Sequence, residues 1–299
     1  MPSLKAIRKR IASTKATQKI TRAMKMVAGA RLTRAQQRIL AMRPYAVKTS
    51  EVLHSVARTM TAAAESQSEP PHPLLARRPE KKALFLVFSA DRGLCGALNT
   101  NINKNAERVW REKEGSDIAV SFATLGRKGR EYLSRRRANI VHDFPRIYDA
   151  VDLGKAQSVA RWLATRFEKA EIDAIYLVFN EFKSAIAQKV VIERLLPLGD
   201  PEPSSAGAEK VAPADFIYEP TQRALLDRLV PMYVEITIYR ALLESQASFF
   251  AAQMTAMDAA TRNAKEMISR FTLVYNRARQ AAITKELMEI IGGAEALKE

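Results

Sequence analysis

Between Leu243 and Ala282, apolar or small residues recur in alternating steps of four and three: Leu243, Ala247, Phe250, Met254, Met257, Thr261, Ala264, Ile268, Phe271, Tyr275, Ala278 and Ala282. A 3.5-residue period held over that length is a coiled-coil seam. The sixty residues from Met232 to Ile291 contain neither proline nor glycine, so the pattern predicts one helix roughly 90 Å long. A second seam runs near the other end of the chain, through Ala28, Leu32, Ala35, Ile39, Met42, Ala46, Thr49, Leu53, Val56 and Met60. It passes Pro44, where a kink or a local break is expected. An apolar stripe alone has nothing to bury against, so the two seams are natural mates. The chain leaves along one helix and returns along the other, which makes the pair antiparallel. After Ala282 the C-terminal stripe shifts phase by one residue, to Ile283, Leu287, Ile290, Ala294 and Leu297. Few residues precede Leu4, so this end is expected to outrun its partner.

The middle of the chain changes period. "KALFLVF" (Lys82 to Phe88), "DIAVSFATL" (Asp117 to Leu125) and "EIDAIYLVF" (Glu171 to Phe179) are continuous apolar runs, expected as buried strands. "SAIAQKVVIERLLPL" (Ser184 to Leu198) is the hairpin partner of the third. Helical stretches alternate with them: 101–113, 126–137 and 153–170. Strand and helix in alternation predict a small α/β domain with a largely parallel sheet. Proline and small polar residues mark two linkers, one in "ESQSEPPHPLLARRPEKK" and one in "GDPEPSSAGAEKVAPADF". The predicted class is α/β plus long helices: an antiparallel two-helix coiled coil with an inserted, Rossmann-like α/β domain. The expected boundaries are 1–62 for the N-terminal helix, 63–81 for a linker, 82–200 for the α/β domain, 201–217 for a second linker and 218–299 for the C-terminal helix.

Charge adds a question. The net charge is +16, yet thirteen lysines and arginines and no acid fall in the first fifty residues, leaving +3 for the other 249. The basicity therefore belongs to one element and points to a local acidic partner. Nucleic acid is one candidate, but no aromatic residue precedes Tyr45 for stacking on bases, and the helix also carries the seam. A membrane surface is another, but the face opposite the charges is alanine-rich and poor in Trp, Phe and Leu. A rod half, packed on its mate with its charged face toward an acidic protein surface, uses both features. The acid-free, Arg-rich start has the look of a transit peptide, but the pattern continues into a long helix and is read as mature structure.

Candidate chemistry is sparse. Cys95 is the only cysteine, so no intramolecular disulfide or multi-cysteine metal site can form. His54, His72 and His142 show no metal-ligand spacing. No apolar run reaches eighteen residues. "SADRGLCGALN" (Ser89 to Asn99) sits between a strand and a helix, as a nucleotide loop would, but matches neither dinucleotide nor P-loop fingerprint. The carboxylate that would read a ribose is replaced by a basic pair in "ATLGRKG". The loop is expected to be a structural turn or a protein contact, and "VHDF" (Val141 to Phe144) a strand end and turn. No catalytic residue, metal or cofactor is assigned.

Three blocks carry a resemblance: "IRKRIASTKATQKITRAMKMVAGARL" (Ile7 to Leu32), "DRGLCGALN" (Asp91 to Asn99) and "LVYNRARQAAITKELMEIIGGAEAL" (Leu273 to Leu297). In order and spacing the chain resembles the gamma subunit of F-type ATP synthase along nearly its whole length. It departs at Ala97, where that family commonly has a glycine. The resemblance implies a non-catalytic, cofactor-free rotary shaft inside a ring of alpha and beta subunits. Its α/β foot would dock on epsilon and the c-ring, delta would belong to the same complex, and proton flow would drive ATP synthesis. It implies contacts to the beta subunits from Met24, Lys25, Cys95, Arg279, Gln280 and Thr284. It also implies a bearing tip formed by Ile283, Leu287, Ile290, Ile291 and Leu297. The implied location is peripheral, on the cytoplasmic face of a bacterial inner membrane, with membrane contact only through the complex and none to nucleic acid. The second linker lacks cysteine, so the thiol-switch insertion of the photosynthetic branch is not expected. The rival reading is a basic coiled-coil nucleic-acid binder.

Overall fold

The computed structural model describes residues 3–63, 72–198 and 221–296. Most of both linkers, and Leu297, lie outside the described residues. The elements follow in the order α1 (Leu4–Ala63), β1 (Lys82–Phe88), α2 (Leu98–Glu114), β2 (Ala119–Leu125), α3 (Arg127–Arg135), β3 (Ile140–Phe144), α4 (Leu153–Glu168), β4 (Ala174–Phe182), β5 (Gln188–Leu196) and α5 (Gln222–Ala296). The chain forms two compact units, one from Met1–Gly29 with Gln253–Glu299, the other Ala30–Ala252.

In the larger unit the sheet order is β3-β2-β1-β4-β5. β1 pairs in parallel with β2 and β4, β2 in parallel with β3, and β5 closes the edge antiparallel to β4. The right-handed crossover rule puts α2 and α3 on one face of this sheet and α4 on the other. Register explains the core. Phe85 stands opposite Phe122 on one side and Tyr176 on the other, so three rings share a face. Phe85 stacks on Tyr176 at 5.0 Å, and Trp110 of α2 meets Phe122 edge-on at 5.5 Å. The opposite face receives Ala156, Val159, Leu163 and Phe167 of α4, all buried.

The middle of α5 belongs to the same unit and is buried nearly all round. Ala241, Leu242, Leu243, Glu244 and Ser245 are buried in succession, which an amphipathic surface helix never shows. Polar ties dock it on the antiparallel edge. Glu244 accepts from the Phe182 backbone N–H at 2.8 Å, Ser248 donates to the Asn180 carbonyl at 3.0 Å, and Arg240 pairs with Glu193 at 2.5 Å.

Two prolines lie inside helices, and one short segment needs correction. α1 continues through Pro44, so the local break does not occur there, and α5 spans Gln222–Ala296, within the expected 218–299, with Pro231 inside it. A proline removes one ladder bond, but buried Leu226, Val230 and Val234 hold that first part of α5 in place. "VHDF" is part of a full parallel strand, β3. Its half-exposed burial is that of a sheet edge, which carries no continuous apolar run.

Candidate functional site

Within the smaller unit, α1 and α5 form an antiparallel pair. Lys25 meets Asp258, Thr21 meets Thr261 and Arg8 meets Tyr275, so one index falls as the other rises. The seam read from the sequence holds: Ala28, Met257 and Ala264 are buried, and Thr261, Ile268, Phe271, Tyr275, Ala278 and Ala282 are the less exposed positions of each turn. It also extends further than its apolar part. Ile7, Ile11, Thr14, Gln18, Thr21 and Lys25 continue the same alternation of four and three ahead of Ala28, each buried or half-buried.

Four of these six positions are polar, and Thr21 and Lys25 among them find polar partners on α5. Thr261 Oγ1 donates to Thr21 Oγ1 at 2.8 Å, and Thr21 donates on to the Gln18 carbonyl. Arg8 donates to the Tyr275 hydroxyl at 2.8 Å and lies over its ring. Lys25 Nζ lies 2.5 Å from Asp258 Oδ1, and Arg262 approaches the other oxygen at 3.2 Å. The Lys25 hydrogen bond holds the Asp258 carboxyl below its ordinary range. Apolar periodicity could not have found these contacts; extending the heptad count backward would have.

The named candidate residues fall into different places. Met24 is half-buried beside the seam, and Lys25 is on it. Arg279, Gln280 and Thr284 are exposed, with Thr284 donating only to the Gln280 carbonyl one turn back. Beyond Ala282 every described side chain is exposed. Ile290 is 71% exposed, and Ile283, Leu287 and Ile291 exceed half. This is an apolar helix end with no cover among the described residues.

Cys95 belongs to the larger unit and faces inward, 2% exposed. The side chain at the surface there is Leu94, at 62%, in a left-handed conformation. Asn99 fixes the loop: it accepts from the Ala90 N–H at 3.0 Å and donates to the Arg92 carbonyl and to Cys95 Sγ, both at 3.2 Å. Asp91 accepts from the Arg127 N–H at the start of α3. Beneath them Ser89 Oγ is within 3.1 Å of the Leu125 and Gly126 carbonyls and accepts from the Gly129 N–H at 2.6 Å. Gly126 is required here twice over. Its φ is +92°, and a Cβ would lie 2.0 Å from the Ser89 carbonyl oxygen. "DRGLCGALN" is thus a self-braced turn.

Among the described residues there is no group of three His, Cys, Asp or Glu side chains placed to hold a metal, and no helix is long and apolar enough to cross a membrane.

Comparison with known proteins follows the same lines. A family described as ATP synthase matches residues 3–297. The chain is 55% identical to an ATP synthase gamma chain of Sorangium cellulosum and 48% identical to one of Anaeromyxobacter dehalogenans, each match covering the whole of both chains. Among solved structures it is similar to a chain of the Euglena gracilis mitochondrial ATP synthase rotor, with TM-score 0.62, 18% identity and 94% and 98% of the two chains covered. It is also similar to a chain of the Tetrahymena thermophila mitochondrial ATP synthase central stalk and c-ring, with TM-score 0.59, 24% identity and 81% and 99% covered.

Proposed function

The chain belongs to the ATP synthase gamma chain family, the central-stalk rotor subunits of that enzyme, and we propose that it couples rotation to catalysis without performing chemistry itself. The observation that carries the reading is the smaller unit: a narrow antiparallel pair whose longer helix ends in an exposed apolar stretch, 283–293. Such an end needs a surrounding protein surface. Non-directional apolar contacts resist turning less than directional ones, so Ile283, Leu287, Ile290 and Ile291 suit a bearing within a sleeve. Leu297 would extend it.

The pair's faces differ. In this unit the N-terminal helix shows water a carboxylate-free basic surface, its first acid being Glu51 in the other unit, while α5 carries Asp258, Glu266 and Glu286. A catalytic subunit cycles through conformations when something interacts differently with each, and unlike faces presented in turn would supply that difference. In this reading alpha and beta subunits surround the pair. The sheet domain is the foot on epsilon and the c-ring, and delta completes the complex. The complex is membrane-associated; its cytoplasmic-face placement on a bacterial inner membrane, coupled to protons, is part of the proposal. Met24, Arg279, Gln280 and Thr284 are offered to beta, together with the turn around Cys95, through Leu94 rather than through the thiol.

Arg279 provides the test. Arg279→Ala should lower ATP synthesis in membrane vesicles by about tenfold, the effect of losing ~1.4 kcal/mol of interaction, with the melting of the sheet domain unchanged. Unchanged synthesis would remove Arg279 from the contact. The nucleic-acid rival predicts salt-sensitive DNA retention without other ATP synthase subunits, whereas the rotor predicts co-purification with them. Nothing among the related proteins supports the rival.

A further inference from the structure

A cavity of about 460 Å³ opens in the larger unit at the carboxyl ends of β1 and β4. These are the neighbours at which the strand order reverses. In open α/β sheets ligands bind outside the carboxyl ends of the strands at such a switch point, and this volume is within the range of small-molecule sites. Here α1 and α5 wall the crevice from outside the sheet.

Charge and unpaired polarity favour one kind of occupant. Arg31, Arg34 and Arg38 of α1 and Arg92 of the β1–α2 loop line the cavity. None of the four forms an ion pair among the described residues. Asp91, the acid in the lining, already accepts from the Arg127 N–H. Deeper in, Ser245 is only 4% exposed, and its hydroxyl finds no hydrogen-bond partner. The buried hydroxyl of Tyr148, also in the lining, is near Ser245 but likewise without a hydrogen bond of good geometry. The two hydroxyls have at most each other as partner, so one O–H between them is left to donate into the cavity. Phe249 and Phe250 add flat apolar surface, with Arg31 over the Phe250 ring at 5.8 Å.

We propose that this cavity binds a phosphorylated small molecule of mononucleotide size. The arginines hold its phosphates at the mouth, Phe249 packs against its ring, and the O–H left over from Ser245 and Tyr148 donates to its inner polar edge. A dinucleotide is not the ligand: the glycine fingerprint and the ribose-reading carboxylate are both absent. An acidic segment of another protein would satisfy the arginines alone, whereas a mononucleotide also uses the flat apolar wall of Phe249 and Phe250. The mouth of the site adjoins the turn around Cys95 that is offered to beta, since Asp91, Arg92 and Leu98 line it; its inner wall of Tyr148, Ser245 and Phe249 belongs to no surface assigned to the rotor.

The test is photolabelling of the assembled complex with azido-ADP, followed by peptide mapping of this chain. The expected result is label on the peptide holding Phe249 and Phe250. Unmodified ADP and pyrophosphate should compete, adenosine should not, and the Arg34→Ala/Arg38→Ala double variant should lose about tenfold or more of the label. Label on the other nucleotide-binding subunits is the internal control, and recovery of the complex reports separately on the rotor reading. Equilibrium dialysis of radiolabelled ADP against the full-length chain repeats the measurement without those subunits, and Ser245→Leu should abolish retention there. No label on this chain, equal label in the double variant, or an adduct to a neighbouring subunit from a photoreactive residue at Phe249 would each overturn the proposal.

Discussion

Ala264 of the helix pair and Phe122 of the sheet domain are equally buried, at 1% and 0%, and they stabilise their surroundings by very different amounts. Burying a phenylalanine is worth about 1.5–3 kcal/mol, whereas a methyl group gives under about 1 kcal/mol. The sheet domain places Phe85, Phe88, Phe122 and Phe167 at its centre. The helix pair uses Ala28, Thr21, Ala264 and Met257. The domain is therefore held by depth and the pair by length, through many weak contacts along a seam. Small seam residues let helix axes approach closely, so what the pair forgoes in adhesion it gains in narrowness.

Breaking the domain should have the largest effect. Gly126→Ala places a Cβ against the Ser89 carbonyl in a backbone conformation that alanine disfavours, and should lower stability by about 3 kcal/mol or more. Urea unfolding followed through the buried Trp110 measures it; a loss under ~1 kcal/mol would mean the turn can relax. Overfilling the pair comes next. Ala264→Leu should cost about 1–3 kcal/mol and leave the Trp110 signal unchanged, separating the two units by probe. Gly29→Ala should work the other way. The added Cβ meets Met254 Sδ at 3.4 Å, an ordinary contact, so the gain in helix propensity, about 0.5–1 kcal/mol, should appear as a higher helical melting temperature.

The smallest effect belongs to Lys25 and Asp258. If they serve chiefly each other, Lys25→Ala and Asp258→Ala should shift melting by the same small amount, and the double variant should add nothing. With the folded carboxyl below its free value of 3.8, the contribution is complete above that pH and disappears as pH falls through the folded value. A drop in ATP synthesis for Lys25→Ala but not Asp258→Ala would instead assign the lysine to an outside partner.

How much of this was legible beforehand follows the same division. β1 could be bounded to the residue, because its burial is continuous and apolar. β3 could not, because a five-residue edge strand that stops before Pro145 carries little hydrophobic signal. The seam was visible from Ala28 onward but hidden across Thr14, Gln18 and Thr21, where hydroxyl and amide groups do the packing. Arg279 and Ile290 could be nominated from resemblance and from phase. The resemblance puts the Cys95 turn at a surface that the thiol itself does not reach, since Asn99 holds it inward. The arginine-lined crevice was invisible, because Arg34, Asn180 and Ser245 are brought together only by tertiary folding.

The inward thiol also matters at the bench. Cys95 is the chain's only cysteine, it is buried, and burial pushes its pKa up, so it reacts slowly with maleimides. The unaltered chain is thus already a quiet background for site-specific labelling. A cysteine introduced at exposed Ile290 or Arg279 would be its one fast-reacting thiol, ready to carry a fluorophore or a bead whose orientation reports rotation directly.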